Sequence, residues 1–161
     1  MIRALLLGCV LLLSACVSQA PLPERTPSLM LPLQLHVQRQ AQGQRQDWLL
    51  VIQAEGSSLR WSLMDPLGIP QARQRLVEGH WQADGLLPPN PEARELFAAL
   101  LFALTPAAEL PANYPDARQQ DAQRTLGPRW RVDYQHALDF TLNLPQGLYY
   151  HITALSNEAT P

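Results

Sequence analysis

The sequence predicts a mainly β, α+β fold: an antiparallel, one-sided sheet with one helix packed on its dry face. Three observations predict it. Apolar and polar residues alternate with period two through much of residues 33–152, the mark of strands with one buried and one wet face. Polar turns, around Gly43 and at Pro145-Gln146-Gly147, separate the alternating runs. One stretch after Asn90 abandons that period for helical spacing.

The chain begins with Met1-Ile2-Arg3, an apolar run from Ala4 to Leu13, then Ser14-Ala15-Cys16. A positive start, a short greasy centre and small residues before a cut read as a secretory signal over residues 1–15. The run is too short to span a bilayer, which needs about 20 apolar residues. Leu13-Ser14-Ala15-Cys16 resembles the bacterial lipobox. That likeness implies cleavage before Cys16, diacylglycerol on its thiol, and attachment to a membrane through N-terminal acyl chains. Leu6-Leu7-Gly8-Cys9 leaves too little apolar run ahead of it to serve instead. Val17-Ser18-Gln19 follows, without the aspartate that marks inner-membrane retention, so the expected place is the outer membrane, facing the periplasm.

Residues 16–28 read as the lipidated cysteine and a Pro-rich tether. In an extended state of about 3.1 Å per residue, the tether would hold the domain up to roughly 35 Å from the bilayer. Residues 29–157 read as the domain and 158–161 as a tail. With only Cys9 and Cys16 in the chain, the domain contains no disulfide.

The first strand alternates Leu33, Leu35 and Val37 with Gln34, His36 and Gln38. An apolar run, Trp48 to Ile52, follows the Gly43 turn, and then Leu59, Trp61 and Leu63 alternate with Arg60, Ser62 and Met64. Trp130, Val132 and Tyr134 begin a second series. Leu138, Phe140, Leu142 and Leu144 continue it, and Leu148, Tyr150 and Ile152 close it. Between the two series, Asn90-Pro91-Glu92 offers an N-cap, a proline at the first helical position and an early acid. Leu96, Phe97, Leu100, Leu101 and Leu104 then fall at helical spacing until Thr105-Pro106. Residues 107–123, rich in Pro, Ala and Gln, read as loop with at most a helical turn.

Composition points away from several function classes. The formal charge is −2, and −3 once Arg3 leaves with the signal. The arginines are scattered, so no nucleic-acid stripe forms. No G-x-S-x-G, G-x-G-x-x-G or P-loop occurs, and His36, His80, His136 and His151 lack metal-ligand spacing. Asp65, Asp84 and Asp116 each sit beside Pro or Gly, where Asp serves turns. The chain reads as a non-enzyme with no cofactor.

Three ordered stretches resemble LolB, the outer-membrane lipoprotein receptor: Asp65-Pro66-Leu67-Gly68 between strands, the leucine-rich helix 95–106 ending at a proline, and Gly127-Pro-Arg-Trp130-Arg-Val132-Asp-Tyr134. The chain is also similar to a domain-of-unknown-function family of lipoproteins with LolB-like features, whose members often accompany aryl-polyene lipid biosynthesis. The resemblance implies an unclosed LolA/LolB-like β-barrel with a helix on its concave face and a cavity for acyl chains. It implies, too, that Leu67 protrudes toward membrane and that a periplasmic carrier hands over lipid or lipidated protein. The connection after Tyr134 is shorter than in LolB and helical content is lower, so the cargo stays open.

Such a cavity would be lined by Leu35, Val37, Leu50, Ile52, Trp61 and Leu63 from the first strands, with Val132 from a later one. Leu96, Leu100 and Leu104 would face them from the helix. Each buried acyl CH₂ contributes about 0.8 kcal/mol, so one long chain gains on the order of 10 kcal/mol gross. The alternative is a helix that fills the sheet's dry face completely. The protein is then a non-enzymatic accessory or scaffolding lipoprotein.

Overall fold

The computed structural model describes residues 19–155. The signal segment 1–15, Cys16 and the tail 158–161 lie outside the described residues.

Ten strands among the described residues form one antiparallel sheet: β1 (Leu33–Ala41), β2 (Gln44–Glu55), β3 (Ser58–Met64), β4 (Pro70–Val77), β5 (His80–Ala83), β6 (Ala117–Gln120), β7 (Gln123–Leu126), β8 (Trp130–His136), β9 (Asp139–Asn143) and β10 (Tyr149–Ala154). Their order is β5-β4-β3-β2-β1-β10-β9-β8-β7-β6. Two five-stranded meanders are thus joined where β1 pairs with β10. β5 and β6 are edges, and the sheet does not close. Period two sets the register: Leu35 lies opposite Leu50, Ile52 opposite Trp61, Val37 opposite Ile152 and Val132 opposite Leu142. These side chains share one face and are fully buried.

Helix α1 (Pro91–Leu104) starts where its capping residues place it. The Asn90 side chain accepts from the Ala93 N–H at 3.0 Å, and Pro91 occupies the first turn, where its missing N–H is not needed. It stops at Thr105, which is held extended ahead of Pro106 and donates its hydroxyl to the Leu101 carbonyl at 2.7 Å. Phe97 meets Trp61 and Trp81 from β3 and β5, while Phe102 meets Trp130 from β8. One helix about 10 Å wide reaches both ends of the sheet order only if the sheet curls around it.

The apolar stripe expected on α1 proves to be a whole circumference, since every residue from Leu96 to Ala103 is buried. A helix apolar all round needs cover on its second side. Residues 20–31 provide it: Ala20, Leu22, Leu29 and Leu31 pack on the core, and Pro23 and Pro27 are buried. Asn113 at the end of α2 (Leu110–Asn113) holds this strap through the N–H groups of Glu24 and Arg25. From residue 20 onward, therefore, the Pro-rich stretch read as a tether lies on the domain. The 35 Å reach does not apply to that part of it.

Residues 107–123, expected as loop, contain a 3₁₀ turn (Ala107–Glu109), α2 and strand β6. Asp84, expected in a turn, receives Arg60 at 3.0 Å and Arg73 at 3.1 Å. It ties the chain after β5 to β3 and β4.

Candidate functional site

The turn between β3 and β4 is built by one carboxylate. Asp65 Oδ1 accepts from the N–H groups of Leu67 and Ile69, each at 2.9 Å. Its carbonyl accepts from Gly68 N–H at 2.9 Å and its own N–H donates to the Ile69 carbonyl at 3.0 Å. Gly68 takes a φ of +82°, the left-handed region where a side chain is strained. With its backbone pinned inward, the turn directs its side chains outward: Leu67 is 85% exposed and Ile69 54%. Leu86, fully exposed, follows the end of β5. That segment is tied to β4 by the bond from the Asp84 N–H to the Arg73 carbonyl. All three side chains therefore leave the same end of the β4–β5 hairpin.

A cavity of about 610 Å³ lies at the C-terminal end of α1. Leu29, Leu33, Leu104 and Leu138 supply aliphatic wall; Ser28 and Met30 of the strap close one side, with Asp121, Tyr134 and His136 also on its lining. Arg124 is its buried charge, 4% exposed. Nη1 donates to the carbonyl oxygens of Phe102 (2.8 Å), Ala103 (3.2 Å) and Thr105 (2.8 Å), and Nε and Nη2 donate to Gln119 Oε1. Its guanidinium also lies over the rings of Phe102 and Tyr134. Burial presses the Arg124 pKa down, and burial pushes the Tyr134 hydroxyl up to about 12. A second cavity, of about 400 Å³, opens between Ala20 and Leu22 of the strap, Trp81 of β5 and Pro91 of α1.

Leu35, Val37, Leu50, Ile52, Trp61, Leu63, Leu96, Leu100 and Val132, read as cavity lining, sit together in one packed core. Leu104 lies on the wall of the 610 Å³ cavity. The space is thus at the end of the helix, while sheet and helix fill the interval between them. On the wet face His36 bonds Asp47 at 2.9 Å and His151 bonds Asp139 at 3.0 Å. Among the described residues no three His, Cys, Asp or Glu side chains gather as a metal site, and no single helix is long and apolar enough to cross a membrane.

No family model and no curated protein matches this chain. Sequence reasoning missed Arg124, the buried cation of the site. Its only visible signal was an arginine inside a stretch without hydrophobic period.

Proposed function

We propose that this chain is a lipid-anchored envelope protein of LolB-like architecture that touches a bilayer through the Leu67 turn. There it takes an acyl chain, free or on lipidated cargo, and helps deliver it to the outer membrane. Its anchor is lipid on Cys16, and a periplasmic carrier supplies the cargo.

Leu67 carries this reading. An apolar side chain on a turn either folds back onto the sheet or is presented, and here it stands 85% exposed on a rigid support. Burying one leucine is worth about 1.5–3 kcal/mol. Inserting Leu67, Ile69 and Leu86 together gives a contact that is useful yet reversible. The cavity beside α1 falls within the roughly 300–1,000 Å³ typical of small-ligand sites.

The scaffold reading is favoured by one observation: the interior between sheet and helix is filled, with Leu50, Trp61 and Leu100 without exposed surface. Mass spectrometry of lipid extracted from the purified mature chain carrying Cys16→Ser separates the two. Acyl lipid recovered at close to one per chain supports the carrier. Protein that is folded and free of lipid, even after incubation with vesicles, supports the scaffold.

A further inference from the structure

Arg124 holds a full positive charge with only 4% of its surface exposed. Among the described residues all its hydrogen-bond acceptors are neutral: three main-chain carbonyls and the Gln119 amide. The C-terminal end of α1 offsets about half a unit of charge through its aligned carbonyls. The other half has no counter-charge among those partners, and an isolated buried charge is costly. A guanidinium has five N–H groups. Nη2 directs one of its two hydrogens to Gln119 and has no second acceptor among the described residues.

Arg124 shares its cavity with aliphatic walls from three separate parts of the fold: Leu29 and Leu33, Leu104, and Leu138. The other titratable groups on the lining are Asp121 and His136, both exposed, and Tyr134, whose hydroxyl donates to the Ala103 carbonyl at 2.7 Å. An inorganic anion would meet the cation and leave those walls wet. A neutral lipid would dry the walls and leave the cation unmatched.

We propose that this cavity binds a single-chain amphiphile with an anionic head, a long-chain carboxylate, with the head against Arg124 and the chain along Leu33, Leu104 and Leu138. The inference rests on the lipid-handling reading above and names its ligand class. A charge-assisted hydrogen bond to a carboxylate is about twice as strong as a neutral one, which makes the head a determinant of affinity and not merely of orientation.

The test titrates the mature chain carrying Cys16→Ser with palmitate, hexadecanol and acetate, using calorimetry and native mass spectrometry. Palmitate is expected to bind one to one, hexadecanol at least tenfold more weakly, and acetate not measurably. Leu138→Trp, which fills the cavity from the β8–β9 turn, should weaken palmitate at least tenfold at unchanged melting temperature. Because Arg124 also closes the helix, the head-group series tests its role without altering it. Equal affinity for palmitate and hexadecanol, acetate binding as tight as palmitate, no palmitate binding, or a folded Leu138→Trp protein with full affinity would each overturn the proposal. Vesicle binding of the same protein is measured in parallel. If it persists while palmitate fails, only this cavity assignment falls; if both fail, the lipid-handling reading falls with it.

Discussion

Arg124 Nη1 lies 2.8 Å from the carbonyl oxygen of Thr105, so a side chain from β7 closes the C-terminal end of α1. The last carbonyls of a helix have no partner within it, and here they are buried away from water. One guanidinium supplies what a terminal glycine and solvent supply elsewhere.

Removing it leaves several buried carbonyls unsatisfied, each costing about 1–3 kcal/mol. Arg124→Met should therefore lower stability by roughly 2–5 kcal/mol. Arg124→Lys should recover only part, because an ammonium lacks the planar fork. Urea denaturation checks both: the midpoint should fall with little change in slope.

Leu100 is buried mid-helix and Gln38 lies on the wet face of β1, near Asp47. Leu100→Arg strands a charge in the core and should cost several kcal/mol. Gln38→Arg should stay within about 0.5 kcal/mol. Thermal melts of the two variants read this directly, and equal losses would mean that the faces have been exchanged.

The first turn of α1 gives the fold an acid sensitivity. Glu92 Oε1 accepts from Arg39 Nε at 2.6 Å and from the Tyr150 hydroxyl at 2.9 Å. The bond from Arg39 holds the Glu92 carboxyl below its ordinary 4.5, against the opposing effect of burial. Burial raises Glu95, but bonds from Arg129 and Trp130 outweigh it and leave that carboxyl low as well. A carboxylate depressed in the folded state contributes stability that is fully present above its unfolded value and lost as pH falls through the folded one. Melting temperature should hold above pH 4.5 and drop below it. Glu92→Gln should melt lower at pH 7 and show a shallower acid loss. Melts between pH 7 and 3 test the sign.

Much of the fold was legible because hydrophobic period follows burial. Leu35, Leu50, Trp61, Val132 and Phe140 face inward as alternation requires, and Asn90-Pro91 begins the helix. β4 was obscured because Gln74 takes a buried position between Ala72 and Leu76. β6 and β7 were invisible because their side chains are mostly polar and the buried one is Arg124. A charge there satisfies helix carbonyls that exist only after folding, and no local pattern records that. The Pro-rich strap failed for a related reason: proline fits an extended linker and a fixed cover equally well, and only the all-apolar surface of α1 decides between them.

The proposed function depends on presentation of Leu67 to a bilayer. Leu67→Glu tests it most directly, measured as vesicle binding and lipid transfer by the mature chain, with melting temperature as control. The side chain is 85% exposed, so stability should move by no more than about 0.5 kcal/mol. Vesicle contact should fall sharply, because a carboxylate must be desolvated to enter lipid, and transfer should fall with it. A stable Leu67→Glu protein that binds vesicles and transfers lipid as the wild type does would contradict the claim.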